Sequence, residues 1–196
     1  MSYSVLPLLF RDVLTVVSGG IPEATRLLAL PWDMIFFTGS TTVGRIVASA
    51  AAKTLSPVIL ELGGKSPLII TEDMPELEAM ADRIMWGKTI NVGQTCVAPD
   101  YILCHEDNID SVCEAFKKSL ENMYGKGDEA IRASTFARNV SEKSTQRLID
   151  LVKDAEKKGG EIIVGGHEGA DVKEKVRLED VVEDIVFVLF LFLFCF

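Results

Sequence analysis

The sequence has only two histidines, His105 and His167, and no Cys-x-x-Cys spacing among Cys96, Cys104, Cys113 and Cys195. The first scarcity leaves little from which to build a histidine triad, and the second argues against structural zinc, so no metal is expected. Nothing resembles a disulfide framework, which favours a reducing compartment and makes the cytoplasm the expected location. Positive charge is in deficit: 20 Lys+Arg stand against 29 Asp+Glu, a formal net charge of -9. Such a balance offers no footprint for phosphate backbones, so nucleic acid is not expected as a partner. The basic pairs Lys117-Lys118 and Lys157-Lys158 read as solvated helix faces. No apolar run reaches the roughly 20 residues that a membrane-crossing helix needs. Val5 to Phe10 is apolar, but it has no basic segment before it and no evident cleavage site, so it is not read as a signal peptide. Ile185 to Phe196 is almost wholly apolar and reads as a tail without its partners. A membrane partner is not expected, and this tail is the one feature that could argue for one.

What is present is an ordinary globular composition, 48% hydrophobic and 25% charged over 196 residues. That length suffices for one large domain or parts of two. The first part alternates strand and helix. A strand is expected at Val13 to Val17, a helix from Pro22 to about Ala29, and a strand at Met34 to Thr38. A helix follows to about Lys53, then a strand at Val58 to Leu62. That order predicts an α/β fold with a parallel sheet. Beyond Gly63-Gly64, strands are expected at Pro67 to Ile70, Tyr101 to His105 and Glu161 to Val164. Helices are expected at about Pro75 to Ile90, Asn108 to Tyr124 and Ser141 to Lys158. In the second of these, Ile109, Val112, Cys113, Phe116, Leu120 and Met123 form one apolar stripe, which makes Cys113 a core residue.

Three short segments carry chemistry. Gly39-Ser40-Thr41-Thr42-Val43-Gly44 follows a strand and opens a helix, where free N–H groups and the helix dipole favour a phosphate. Alone it is also what any strand-to-helix turn looks like. Glu61, at the end of an apolar strand and before Gly63-Gly64, is a candidate general base if partly buried; a solvated strand-end glutamate is the commoner case. Cys96, in Asn91-Val92-Gly93-Gln94-Thr95-Cys96-Val97-Ala98-Pro99, sits among turn-formers rather than on an apolar stripe. A nucleophilic thiol needs such access, although an inert half-buried thiol fits that segment equally well.

Taken together and in this order, the segments resemble the aldehyde dehydrogenase superfamily. Phe37-Thr38-Gly39-Ser40 is similar to its cofactor turn, Leu60-Glu61-Leu62-Gly63-Gly64-Lys65-Ser66-Pro67 to its glutamate signature, and Gly93-Gln94-Thr95-Cys96 to its cysteine signature. Trp86-Gly87-Lys88 and Ala98-Pro99-Asp100-Tyr101 resemble the branch acting on fatty and aromatic aldehydes. The resemblance implies a partial Rossmann-like parallel sheet followed by part of the α/β catalytic domain. The expected boundaries are 1–63 for the dinucleotide-binding part, 64–184 for the catalytic part and 185–196 for the tail. It implies that Cys96 attacks an aldehyde, that hydride passes to NAD or NADP, and that Glu61 activates the water that frees a carboxylic acid. Retention of Glu61 favours that hydrolysis over transfer to phosphate or coenzyme A. Gly39, Ser40, Val43, Glu61, Leu62 and Gly63 are the implied cofactor-binding residues.

The resemblance runs from about Leu14 to about Gly166, with Ala137 standing where the family has glycine in Phe136-Ala137-Arg138. Family segments that complete the oxyanion hole, grip the two riboses and extend the sheet between subunits find no counterpart in the sequence. The expectation is therefore an incomplete copy with impaired activity, with a homo-oligomer left open. The alternatives are a catalytically dead chain that partners full-length subunits and an unrelated thiol enzyme.

Overall fold

The structure is a computed structural model, and it describes residues 15–74, 76–126 and 137–166. The chain divides into two compact units, Met1–Gly63 and Gly64–Phe196.

In the first unit, helix α1 (Ile21–Leu28) leads to strand β1 (Ile35–Gly39), helix α2 (Thr41–Ala51) and strand β2 (Val58–Leu62). Pro22 stands in the first turn of α1, and the Glu23 carboxylate accepts from the Gly20 N–H at 2.7 Å. β1 and β2 pair in parallel from Ile35↔Val58 to Gly39↔Leu62, with α2 as the crossover. The buried stripe of α2 is Gly44, Val47 and Ala51, small residues at helical spacing that let the helix lie close to the strands. At Gly44 the approach is tight: an added Cβ would stand 2.7 Å from Leu62 Cδ2. The helix ends before Leu55, whose φ of 58° turns the chain toward Pro57 and β2.

The second unit repeats the plan. Strand β3 (Ser66–Ile70) leads through helix α3 (Leu77–Thr89) to strand β4 (Pro99–Cys104), followed by helices α4 (Ile109–Tyr124) and α5 (Glu142–Lys157). β3 and β4 are parallel, with Leu68 opposite Ile102 and Ile70 opposite Cys104, after a register irregularity at Ser66/Pro67. One core joins β3, α3, β4 and α4: Ile70, Ala81, Ile84, Met85, Ile102, Cys104, Val112, Phe116 and Leu120. Val112, Cys113, Phe116 and Leu120 of the expected α4 stripe are buried. Three polar ties cross between α3 and α4: Ser119 Oγ donates to Asp82 at 2.6 Å, the Thr89 and Tyr124 hydroxyls meet at 2.7 Å, and Lys118 Nζ donates to Glu78 at 2.5 Å. Ser141 caps α5, its Oγ accepting from the Ser144 N–H at 3.2 Å.

Two expected strands are not formed. Thr15 to Val17, the described part of the first, is irregular, with Val16 and Val17 exposed. Glu161 to Val164 is irregular after Gly159, whose φ is 90°. β-branched composition favours a strand only where a neighbouring strand supplies the ladder, and neither segment has one among the described residues. The apolar tail from Ile185, Cys195 and Phe136 lie outside the described residues. Among the described residues, no helix is long and apolar enough to cross a membrane.

Candidate active site

The first unit brings two of the three motifs to one edge. Parallel pairing sets Thr38 opposite Glu61 and Gly39 opposite Leu62, so both strands end together. The carboxyl edge of a parallel sheet is where α/β folds bind nucleotides. Ser40 caps α2, its Oγ accepting from the Val43 N–H at 3.3 Å, and the first backbone turn closes from Gly44 N–H to Ser40 carbonyl at 2.8 Å. Val43's amide is thus engaged by the cap, and the amides of Thr41 and Thr42 precede the first intrahelical bond. Gly39, Ser40, Val43 and Gly63 are exposed and Leu62 is half-buried. Glu61 is also exposed within its unit, so the partial burial expected of it is not found there.

Cys96 lies in the second unit, on the chain between α3 and β4. It is one of the two central residues of a turn closed by the Ala98 N–H donating to the Thr95 carbonyl at 3.1 Å. That bond leaves the Cys96 N–H unspent by the turn. The thiol is exposed, whereas Cys104 and Cys113 are buried. Burial pushes the Cys104 thiol's pKa up. It does the same at Cys113, where Asp110, Cys104, Glu161 and Glu114 add to the effect. Of the three described cysteines, only Cys96 has the access that nucleophilic chemistry requires.

The approach to this turn is unusual. Asn91, Val92 and Gly93 have φ of 52°, 52° and 72°, three left-handed residues in succession. Asparagine and glycine adopt that region readily, and a β-branched valine does not. Glycine is required at 93, because an added Cβ would also stand 3.0 Å from the Lys88 carbonyl oxygen. The Gln94 amide fixes the far side. Its Nε2 donates to Asn91 at 3.1 Å and to the Arg138 carbonyl at 3.0 Å, and its Oε1 accepts from the Val140 N–H at 2.9 Å. The Cys96 turn is thereby tied to the segment before α5. A left-handed residue costs about 1–2 kcal/mol, partly offset in a glycine variant by lost chain entropy. Val92→Gly is therefore expected to raise the unfolding free energy by about 0.5–1 kcal/mol, measured by urea denaturation. A lower midpoint would mean that contacts of the half-buried valine outweigh its backbone strain.

Near Gly93 lies Lys88, and two further charged groups, Lys65 and Asp100, act on it. Lys65 Nζ pairs with Asp100 at 2.7 Å. Lys88, in the last turn of α3, is half-buried and forms no ion pair with any described residue. Burial lowers its pKa first, Asp100 opposes that, and Lys65 adds to the lowering. Neither the Gln94 clamp nor this cluster was expected from the sequence. Asn91 and Gly93 announced a turn, but a glutamine and a lysine carry no local signal of partners more than ten residues away.

Comparison with known proteins supplies what the separate units cannot. A model of the aldehyde dehydrogenase family matches residues 9–187. The chain belongs to the aldehyde dehydrogenase family. It is 47% identical over 142 residues to the mouse dimeric NADP-preferring aldehyde dehydrogenase, covering 72% of this chain and 31% of that one. It is 42% identical over 175 residues to the 4,4'-diaponeurosporen-aldehyde dehydrogenase of Staphylococcus aureus, covering 88% and 37%. Among solved structures it is similar to a substrate-bound state of Staphylococcus aureus AldH, with TM-score 0.73, 40% identity and coverage of 88% and 37%. It is also similar to a Mycobacterium tuberculosis aldehyde dehydrogenase complexed with NAD+, with TM-score 0.71, 33% identity and coverage of 84% and 34%. The chain spans about a third of the length of these relatives. Family membership sets aside the reading of an unrelated thiol enzyme.

Proposed function

We propose that this chain carries the thiol centre and part of the dinucleotide site of an enzyme that oxidises aldehydes to carboxylic acids with NAD+ or NADP+. One observation carries the reading: Cys96 alone among the described cysteines is exposed, and it stands at the corner of a turn fixed from both sides. The Cys96 thiolate adds to the aldehyde carbon, and its own N–H, unspent by the turn, donates to the oxygen that becomes anionic. When bound, NAD+ or NADP+ would supply the acceptor for the hydride leaving that carbon, and Cys96 would then carry a thioester. In the pairing that the resemblance implies, Glu61 takes a proton from the water that adds to this thioester. The thiolate departs and the free acid is released.

The residues at the first unit's carboxyl edge fit a dinucleotide. Ser40 opens α2 at the end of a parallel strand, and Gly39 lets the Phe37 ring lie against the chain there, its Cζ 2.6 Å from where a Cβ would stand. Gly39, Ser40 and Val43 are assigned to the pyrophosphate side, and Glu61, Leu62 and Gly63 to the neighbouring strand end. The substrate class is a fatty or aromatic aldehyde, by the likeness at Trp86-Gly87-Lys88 and Ala98-Pro99-Asp100-Tyr101. The domain limits 1–63 and 64–184, followed by a tail at 185–196, belong to the same reading, as does a cytoplasmic location.

The first chemical step gives a test independent of turnover. Benzaldehyde is expected to slow iodoacetamide alkylation of Cys96, because a thiohemiacetal has no free thiol. Aldehyde-dependent formation of NADH or NADPH, however slow, is expected to vanish in Cys96→Ala. If saturating aldehyde leaves Cys96 alkylation unchanged, Cys96 is not the nucleophile.

A further inference from the structure

Among the amines of the described residues, Lys88 stands apart in its surroundings. The carboxylate nearest it in charge, Asp100, is already held by Lys65 at 2.7 Å. Lys88 itself is half-buried on α3 and makes no ion pair with a described residue. A second positive charge, Lys65, lies close enough to act on it. Its stem runs beside the left-handed segment that leads to Cys96: Lys88 Nζ and Cε would each lie 3.8 Å from a Cβ built on Gly93. The bland role is that of a lysine in the last turn of a helix, where the terminal carbonyls favour an ammonium. That role calls for a solvated or paired cation, and Lys88 is only partly solvated and has no ion pair among the described residues.

We propose that Lys88 is an aldehyde-reactive amine, a covalent modification site for carbonyl compounds beside the Cys96 turn. It rests on the proposed function only in taking aldehydes as the carbonyl class. A partly desolvated lysine next to another cation is the arrangement that frees an amine to form Schiff bases. Burial favours the neutral amine, Lys65 reinforces it, and Asp100 opposes without pairing. The nitrogen lone pair adds to the carbonyl carbon, and a proton moves from nitrogen to oxygen to give a carbinolamine. Loss of water then leaves the imine, so that amine plus aldehyde gives imine plus water. No oxidant enters, and the reaction is reversible until a hydride donor reduces the carbon–nitrogen double bond.

Reductive trapping on the folded 196-residue chain tests this. The protein is mixed with benzaldehyde and cyanoborohydride at neutral pH, and benzylated lysines are assigned by peptide mass mapping. Lys88 is expected to be trapped severalfold faster than Lys65, because burial favours its neutral, nucleophilic form. Its rate should level off at a lower pH in the folded chain than in urea, where its advantage over exposed lysines such as Lys65 and Lys153 should disappear. Trapping of Lys88 no faster than these exposed lysines would overturn the proposal. The experiment is repeated on Cys96→Ala. An unchanged Lys88 rate supports an amine that reacts on its own, even if the Cys96 reading fails. Loss of trapping in that variant would mean that the aldehyde reaches Lys88 only by way of the thiol, and would sink the independent amine.

Discussion

In the folded protein, iodoacetamide is expected to label Cys96 at least about a thousandfold faster than Cys104 or Cys113. Cys104 is 2% exposed and Cys113 8%, both inside the second unit. Reagent reaches them only through an opening reaction. If opening costs about 4 kcal/mol, below the usual global stability, the open fraction is about one in a thousand. Cys96 needs no opening. The ratio is read by timed quenching and peptide mass mapping. Comparable labelling of all three would mean that the unit's core is not closed. The same burial sets an alkaline limit. The folded-state pKa values of Cys104 and Cys113 lie above the ordinary thiol value. Above about pH 8.5 the unfolded chain loses these protons before the folded one does. Their contribution is therefore fully present below that pH and is lost as pH rises through the folded values. Urea midpoints should fall from about pH 8.5 upward, and less so in Cys113→Ala.

Phe116→Ala is expected to lower the stability of the second unit by about 3–5 kcal/mol. The ring is 1% exposed and belongs to the cluster that includes Met85 and Ile102. It is the largest fully buried side chain among the described residues. Its removal forfeits the transfer energy of an aromatic ring and leaves a cavity that a sheet–helix interface closes only in part. Against a usual domain stability of about 5–15 kcal/mol, that is a large share. The direct measurement is the urea midpoint by circular dichroism. Cys104 offers a second readout, since its alkylation should accelerate as the core opens more often. A loss below about 1 kcal/mol would mean that the core is not assembled around Phe116.

The sequence was most legible where one residue's neighbours in the chain decide its state. The α4 stripe from Val112 to Leu120 emerged from spacing alone, because helical periodicity reports burial on one face. β2 begins and ends where expected, Val58–Leu62, since Pro57 and Gly63 bound an apolar run. Cys113 was assigned to the core and Cys96 to a turn, and both stand there. Legibility failed where the outcome depends on distant partners. Thr15 to Val17 and Glu161 to Val164 have strand composition without a pairing strand among the described residues. Glu61 has the motif of a base but not the expected burial within its unit. The left-handed Val92 could not be foreseen, because nothing in a valine announces backbone that its branching disfavours. Family membership was legible through the run of motifs, while the surroundings of Gln94 and Lys88 became visible only in three dimensions.

The Gln94 clamp also has a consequence in time. Its bonds to the Arg138 carbonyl and the Val140 N–H span 44 and 46 residues of sequence. β3, α3 and β4 are complete once Cys104 has been made, yet the turn bearing Cys96 still lacks its far anchor. During synthesis the thiol would therefore be chemically present well before it is geometrically set. The chain must extend past Val140 before this exposed thiol acquires a fixed address.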